Sequence, residues 1–169
     1  LMQFAKAITS GYFPLGGIGV SDEIAEVMND SGSPWMHAYT YSSHPVGCAV
    51  ALAMLDIIEQ EDFVEQAAQK GKRLLVKLKE ALSDHPHVGD VRGLGMMCAV
   101  EYVQNRETRE PFDAKENIGA KIQAEAVSRG MFSRVRGDVY CIAPPIVTEE
   151  STIDEIAEIL AASTQVVLG

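Results

Sequence analysis

Residues 45–83 hold two helical patterns back to back, and this pairing constrains everything around it. From Pro45 onward, Val46, Val50, Ala53, Met54, Ile57 and Ile58 recur at helical spacing, with Gly47, Ala49 and Ala51 between them. Apolar residues on several faces, with small residues among them, predict a helix packed closely on more than one side. A second helix is predicted over 62–83, where Val64, Ala67, Gly71, Leu74, Leu78 and Leu82 form one stripe. Its other face carries Lys70, Lys72, Arg73, Lys77, Lys79 and Glu80 and reads as solvated surface.

After His85-Pro86 the period shortens toward two, predicting strands over 88–91 and 95–103. Residues 105–113 read as a charged loop, and 114–129 as a helix closed by Gly130. Paired strands are predicted over 131–136 and 139–143 about Gly137-Asp138, ending at Pro144-Pro145. Thr148 is expected to cap a last helix, with Glu149 and Glu150 in its first turn and Ile153, Ile156, Ala157 and Leu160 facing inward. The second half is therefore α+β around one shared core. Residues 1–20, punctuated by Gly11, Pro14, Gly16, Gly17 and Gly19, predict loop, turn and short strand. Ser21-Asp22-Glu23 starts a helix with Ile24, Val27 and Met28 on one face, and 29–34 breaks it. The first third reads as a piece of a different layer.

Charge and composition exclude some functions. Across 169 residues, 14 Lys and Arg against 24 Asp and Glu leave a net charge of −10, which argues against binding a phosphate backbone. No apolar run reaches the roughly 18–20 residues of a membrane span. The first residues lack the charged-then-apolar layout of a secretion signal, so a cytoplasmic location is expected. Cys48, Cys98 and Cys141 are odd in number and scattered, which suits reduced thiols better than a disulfide framework or a zinc site.

Lys6 lies between Phe4-Ala5 and Ala7-Ile8, ahead of Thr9-Ser10-Gly11-Tyr12. Apolar surroundings disfavour the charged form of an amine and make it a better nucleophile toward carbonyls. Taken alone, such a lysine reads as an ordinary surface residue. The whole string from Ala5 to Gly17, however, resembles the cofactor-lysine segment of class III aminotransferases. These are pyridoxal-phosphate enzymes of the aspartate-aminotransferase-like α/β fold, fold type I. Their pattern is a small residue, the lysine, three variable residues and two small ones. Ala5, Lys6, Ala7-Ile8-Thr9 and Ser10-Gly11 meet it, with Ala7 where glycine is usual. The resemblance implies that Lys6 holds pyridoxal 5'-phosphate as a Schiff base and later shuttles the substrate's α-proton.

His37 to Pro45 resembles the family segment in which a threonine holds the cofactor phosphate across a dimer interface. It implies cofactor-binding roles for Thr40 and the adjacent Tyr39; a hydroxyl and a backbone N–H are neutral donors suited to a phosphate. On spacing alone this stretch also reads as a polar loop before the helix. His37 and His44 have no partner at metal-ligand spacing, and His44 reads as structural. Phe132 to Asp138, followed by Ala143-Pro144-Pro145-Ile146, resembles the segment whose strand arginine binds the substrate carboxylate through its planar fork. Arg134 matches that position, and Arg136, two residues on, would face the same side as a secondary anion contact or salt bridge. Gly93-Leu94-Gly95 also matches the family, at a turn into a small sheet. Trp35 and Met36 read as substrate entrance or packing, and Met96 and Met97 as core filler.

The resemblance runs nearly end to end. It implies that 1–60 is the end of a large cofactor-binding domain with its connecting helix, and that 61–169 is a small α+β C-terminal domain. The chain is accordingly expected to be a C-terminal portion, inactive alone, of a subunit that forms a homodimer with composite sites. The parts expected elsewhere are a phosphate loop, an aromatic that stacks on the cofactor and an Asp for the ring nitrogen. The form of 39–45 points to the branch that moves amino groups from ω-amino acids, amines or taurine to pyruvate. An aminomutase or decarboxylase of the same fold remains open, as does a non-catalytic α+β interaction domain.

Overall fold

The computed structural model describes residues 1–33 and 36–169, so Trp35 lies outside the described residues. The chain forms two compact units, Leu1–Asp62 and Phe63–Gly169. The elements of the first unit are β1 (Met2–Ala5), a 3-10 helix (Lys6–Thr9), β2 (Gly16–Gly19), α1 (Asp22–Asp30) and α2 (Pro45–Gln60). Strands β1 and β2 pair antiparallel, placing Phe4 opposite Gly17. A Cβ at Gly17 would come within 2.3 Å of the Phe4 ring, so the ring lies over bare backbone.

Helix α2 begins with proline at its first turn, where the missing N–H costs nothing. Only Gly47 and Ala51 are buried along it. The multi-sided packing expected of α2 is met within this chain on one side only, and Val46, Leu52, Leu55 and Ile57 remain exposed. Helix α1 likewise buries none of its residues, and Val27 on its expected inner face is exposed.

In the second unit, α3 (Phe63–Leu82), β3 (Val88–Leu94), β4 (Met97–Tyr102), α4 (Ile118–Ser128), β5 (Arg134–Arg136), β6 (Val139–Ile142) and α5 (Glu150–Leu168) follow in order. The sheet is antiparallel throughout, with strand order β3-β4-β6-β5. Helices α3 and α4 lie on it, and α5 packs against both. Leu74, Leu78 and Leu82 repeat every fourth residue on α3 and are fully buried or nearly so. Each such burial contributes about 1.5–3 kcal/mol. They meet Ile122, Ile153 and Leu160 from the other helices and Val100, Tyr140 and Ile142 from the sheet.

Register on β3 is corrected by a bulge at Gly89. Val88 pairs with Tyr102 and Val91 with Val100, so three steps on β3 match two on β4. In a regular strand Val88 and Val91 would face opposite sides; here both are buried.

Several boundaries differ from the sequence reading. Helix α4 starts at Ile118, because Asn117 takes a left-handed φ of 50° after a 3-10 turn at Ala114–Glu116. Gly95, with φ 54°, turns the chain between β3 and β4, so the second strand begins at Met97. Met96 is core, but Met97 is exposed. Of residues 131–136, only Arg134–Arg136 is strand. The residue capping α5 is Glu149, without a side-chain bond. Thr148 is held in a preceding turn, its N–H donating to the Pro145 carbonyl at 3.0 Å.

The expected glycine stop of α4 is present in full. Gly130 (φ 93°) donates to Val127 O at 3.0 Å and Met131 donates to Ala126 O at 2.9 Å, the paired bonds of a Schellman end.

The Tyr102 hydroxyl meets Thr164 Oγ1 at 2.7 Å, joining the sheet to α5 inside the core. Burial raises the phenol's pKa well above its ordinary value. Thr164→Val leaves that hydroxyl buried without its partner and is expected to cost about 1–3 kcal/mol in denaturant titration. Adding Tyr102→Phe should recover most of the loss, since removing both polar partners is nearly neutral. No recovery in the double variant would mean that the bond itself is not the source.

Candidate active site

Strand β1 delivers Lys6 to the surface at an abrupt change of backbone direction. Ala5 is fully extended, and Lys6 has φ 55°, left-handed for a residue with a side chain. Ser10 (φ 49°) and Gly11 (φ 81°) repeat that hand at the other end of the short helix. Such a conformation costs a non-glycine residue about 1–2 kcal/mol and persists only where the surroundings enforce it.

Thr9 is the residue of this segment that reaches the interior. It is buried, and its hydroxyl donates to the Phe13 carbonyl at 2.6 Å. The Ser10 and Tyr12 N–H groups donate to Ala7 O at 3.1 Å and Thr9 O at 3.0 Å.

Lys6 itself is exposed, beside a shallow depression lined by Gln3, Phe4, Ala5, Gly17 and Ile18. The apolar enclosure expected around its amine is therefore not built by the described residues. Among the described residues the amine has no ion-pair partner.

Tyr39 to Ser42 form a turn in which the Ser42 N–H donates to Tyr39 O at 3.0 Å and the Tyr39 N–H donates to Ser42 Oγ at 3.1 Å. Thr40 occupies a central position of that turn and is exposed, as is Tyr39. Among the described residues neither the Thr40 hydroxyl nor its N–H is engaged. Ser43 then takes φ 58° and His44 leads into α2. The His44 ring sits 5.1 Å from that of Phe13, with Nδ1 buried and unpaired, in line with a structural residue.

Phe13 is the junction that sequence reasoning missed. Its carbonyl receives Thr9, and its ring faces His44 and lies so close to Gly47 that a Cβ there would approach within 2.8 Å. The 3-10 helix bearing Lys6 also packs on α2. The lysine segment and the start of α2, into which the Thr40 turn leads, are thus brought together within the first unit. The glycine at 47, read as a helix packing residue, was the one available signal.

Arg134 belongs to the second unit, on edge strand β5. It pairs with Cys141, and Arg136 pairs with Val139. Both arginines are exposed on the face opposite the core, as their spacing of two predicts. On the same face Arg92 donates to Glu101 at 2.6 Å and Asp90 at 3.0 Å. Those carboxylates are thereby occupied, and among the described residues Arg134 and Arg136 have no counterion.

The strand is bracketed by α4. Gln123 Nε2 donates to Ser133 O at 2.5 Å, and the Gly119 N–H donates to Asp138 Oδ1 at 2.9 Å. Asp138 therefore supplies the cap that Asn117 does not. The Gly137-Asp138 pair is both hairpin turn and helix cap, a tertiary role that no local pattern announces.

All three cysteines are free thiols, and burial raises the pKa of Cys98. Among the described residues no helix is long and apolar enough to cross a membrane.

The family model described as aminotransferase class-III matches residues 1–163. The putrescine–pyruvate aminotransferase of Pseudomonas aeruginosa is 43% identical over 156 residues, covering 92% of this chain and 34% of that protein. Among solved structures, an (S)-enantioselective omega-transaminase from Thermomicrobium roseum superposes with a TM-score of 0.90 at 45% identity, covering 99% of this chain and 37% of that one. A PMP-bound aminotransferase from Vibrio fluvialis superposes with a TM-score of 0.88 at 28% identity, covering 98% of this chain and 37% of that one. The chain thus spans about a third of the length of the relatives it matches. The fold is the α/β fold type I of the pyridoxal-phosphate transaminases.

Proposed function

The chain belongs to the class III aminotransferases, and from that premise we propose that it is the C-terminal portion of a subunit that moves an amino group from an ω-amino acid or amine to a keto acid such as pyruvate. The observation that carries this reading is Lys6: an unpaired, accessible amine on a left-handed residue anchored from behind. A condensing amine must be free to meet a carbonyl and must return to the same place once displaced.

The residues present fit pyridoxal 5'-phosphate. When bound, that cofactor supplies an electron sink for the bond being broken at the substrate α-carbon. Lys6 Nζ would hold the cofactor and, once released, take and return the α-proton as a base. The Thr40 hydroxyl and N–H would donate to the phosphate, with Tyr39 beside them at the same turn. Arg134 would offer its planar fork to a substrate carboxylate without an internal acid competing for it.

The subunit is proposed to work as a homodimer in the cytoplasm, with Thr40 reaching the neighbouring subunit's cofactor. Support comes from the family segments that Thr40 and Lys6 occupy and from the exposure of the Thr40 turn.

The test is product analysis of the whole subunit with pyruvate and a panel of ω-amino acids and amines. Alanine formed in step with loss of donor amine supports the transferase. Isomerised donor with no acceptor consumed would make it a mutase instead. In the same protein Thr40→Ala is expected to weaken cofactor retention about tenfold or more, the scale of one hydrogen bond to a charged group. Unchanged retention would count against Thr40 as a phosphate donor.

A further inference from the structure

We propose that Thr9 is a positioning residue for the Lys6 amine, a role that rests on the cofactor-lysine reading of Lys6. In residues 1–20, Thr9 is the one buried position. It ends a short helix whose first residue, Lys6, and following residue, Ser10, both carry left-handed backbone. The short helix packs on α2 with Ile8 only partly buried, and Thr9 is the residue that ties it to the interior by a side-chain hydrogen bond, from its hydroxyl to the Phe13 carbonyl at 2.6 Å.

Phe13 is itself fixed from the far side. Its ring stands 5.1 Å from that of His44 and directly over Gly47, the third residue of α2. The contacts form one line: α2 holds Phe13, Phe13 holds Thr9, and Thr9 closes the turn that keeps Lys6 left-handed. The Thr40 turn leads through His44 into that same helix end. A threonine fits because its small side chain can be buried while its O–H donates.

The test uses the whole subunit loaded with cofactor, comparing Thr9→Val with Thr9→Ser. Valine keeps the branched shape and removes only the donor; serine keeps the donor and removes a methyl. In Thr9→Val the visible band of the lysine-bound cofactor should titrate at a different pH. Its kcat should fall about 10- to 100-fold, the scale of an ångström-sized misplacement, with KM for the donor within about twofold. Thr9→Ser should restore both.

Phe13→Leu serves as a second variant: it retains the backbone acceptor while removing the ring held by His44 and Gly47, and should shift the same titration. The proposal is overturned if the band titrates as in the parent in both Thr9→Val and Phe13→Leu. It is overturned equally if Thr9→Val lowers thermal stability and kcat without moving the titration, or if Thr9→Ser fails to restore it. A parent protein without any such band would instead sink the cofactor reading of Lys6, and the two failures are distinct.

Discussion

Lys6→Ala in the whole subunit is expected to remove the visible band of the lysine-bound cofactor and to lower transamination on the order of a thousandfold. The size follows from two functions lost together. Without the amine the cofactor has no covalent tether, and without the released amine no positioned base remains for the α-proton, a contribution worth about 10²–10⁴ by itself. The side chain is exposed and the turn beneath it is held by Thr9 and Phe13, so the substitution should leave the fold intact. Alanine should in fact relieve none of the backbone strain, because φ 55° is disfavoured for any residue with a Cβ. Circular dichroism unchanged beside lost activity is the expected pair of results. Retention of the band and of turnover in Lys6→Ala would remove Lys6 from the chemistry altogether.

The largest expected effect on stability is at Gly71. A Cβ there would lie 2.1 Å from the carbonyl carbon and oxygen of Gly95, backbone atoms that cannot rotate away. Gly71 sits on the buried stripe of α3, and Gly95 turns the chain between β3 and β4 with φ 54°. Gly71→Ala must therefore push the helix off the hairpin or distort the turn. Overpacking of this kind costs about 1–3 kcal/mol and more where backbone opposes it, so about 3 kcal/mol or greater is expected. Against a typical domain stability of about 5–15 kcal/mol, that is a large fraction.

Gly130→Ala is the matched control. Its φ is 93° but no atom lies within 4 Å of the added carbon, so only conformational strain of roughly 1–2 kcal/mol is expected. Chemical denaturation of the two variants separates them: equal losses would mean that close approach adds nothing at Gly71.

These two glycines also show where the sequence was informative. The stripe from Val64 to Leu82 specified helix α3 and its buried face because a 3.6-residue period survives any tertiary setting, although Val64 at its start is exposed. Gly130 specified a helix end because the left-handed position favours glycine for local reasons. Arg134 and Arg136 were assigned to one face by the two-residue period of a strand.

What could not be read are contacts made at a distance. That Gly71 is small because Gly95 lies against it links residues on separate elements, and neither glycine alone declares the other. Asp138 caps α4 from another hairpin, so the local pattern pointed to Ala114 as the helix start when the true first residue is Ile118. Phe13 carries no local signal of its role, although it joins the lysine segment to α2. The exposure of Lys6 differed from expectation for the same reason: apolar neighbours in sequence do not enclose a side chain unless the chain folds back over it.

The bracketing of β5 has a consequence for altering specificity. A three-residue edge strand would ordinarily shift whenever its side chains were exchanged. Here both shoulders are bolted to α4, through Ser133 and Asp138, while the arginines point to the opposite face. Residues 134 and 136 are therefore interchangeable heads on a fixed shank. New side chains can be tried at those two places without re-aiming the strand that presents them.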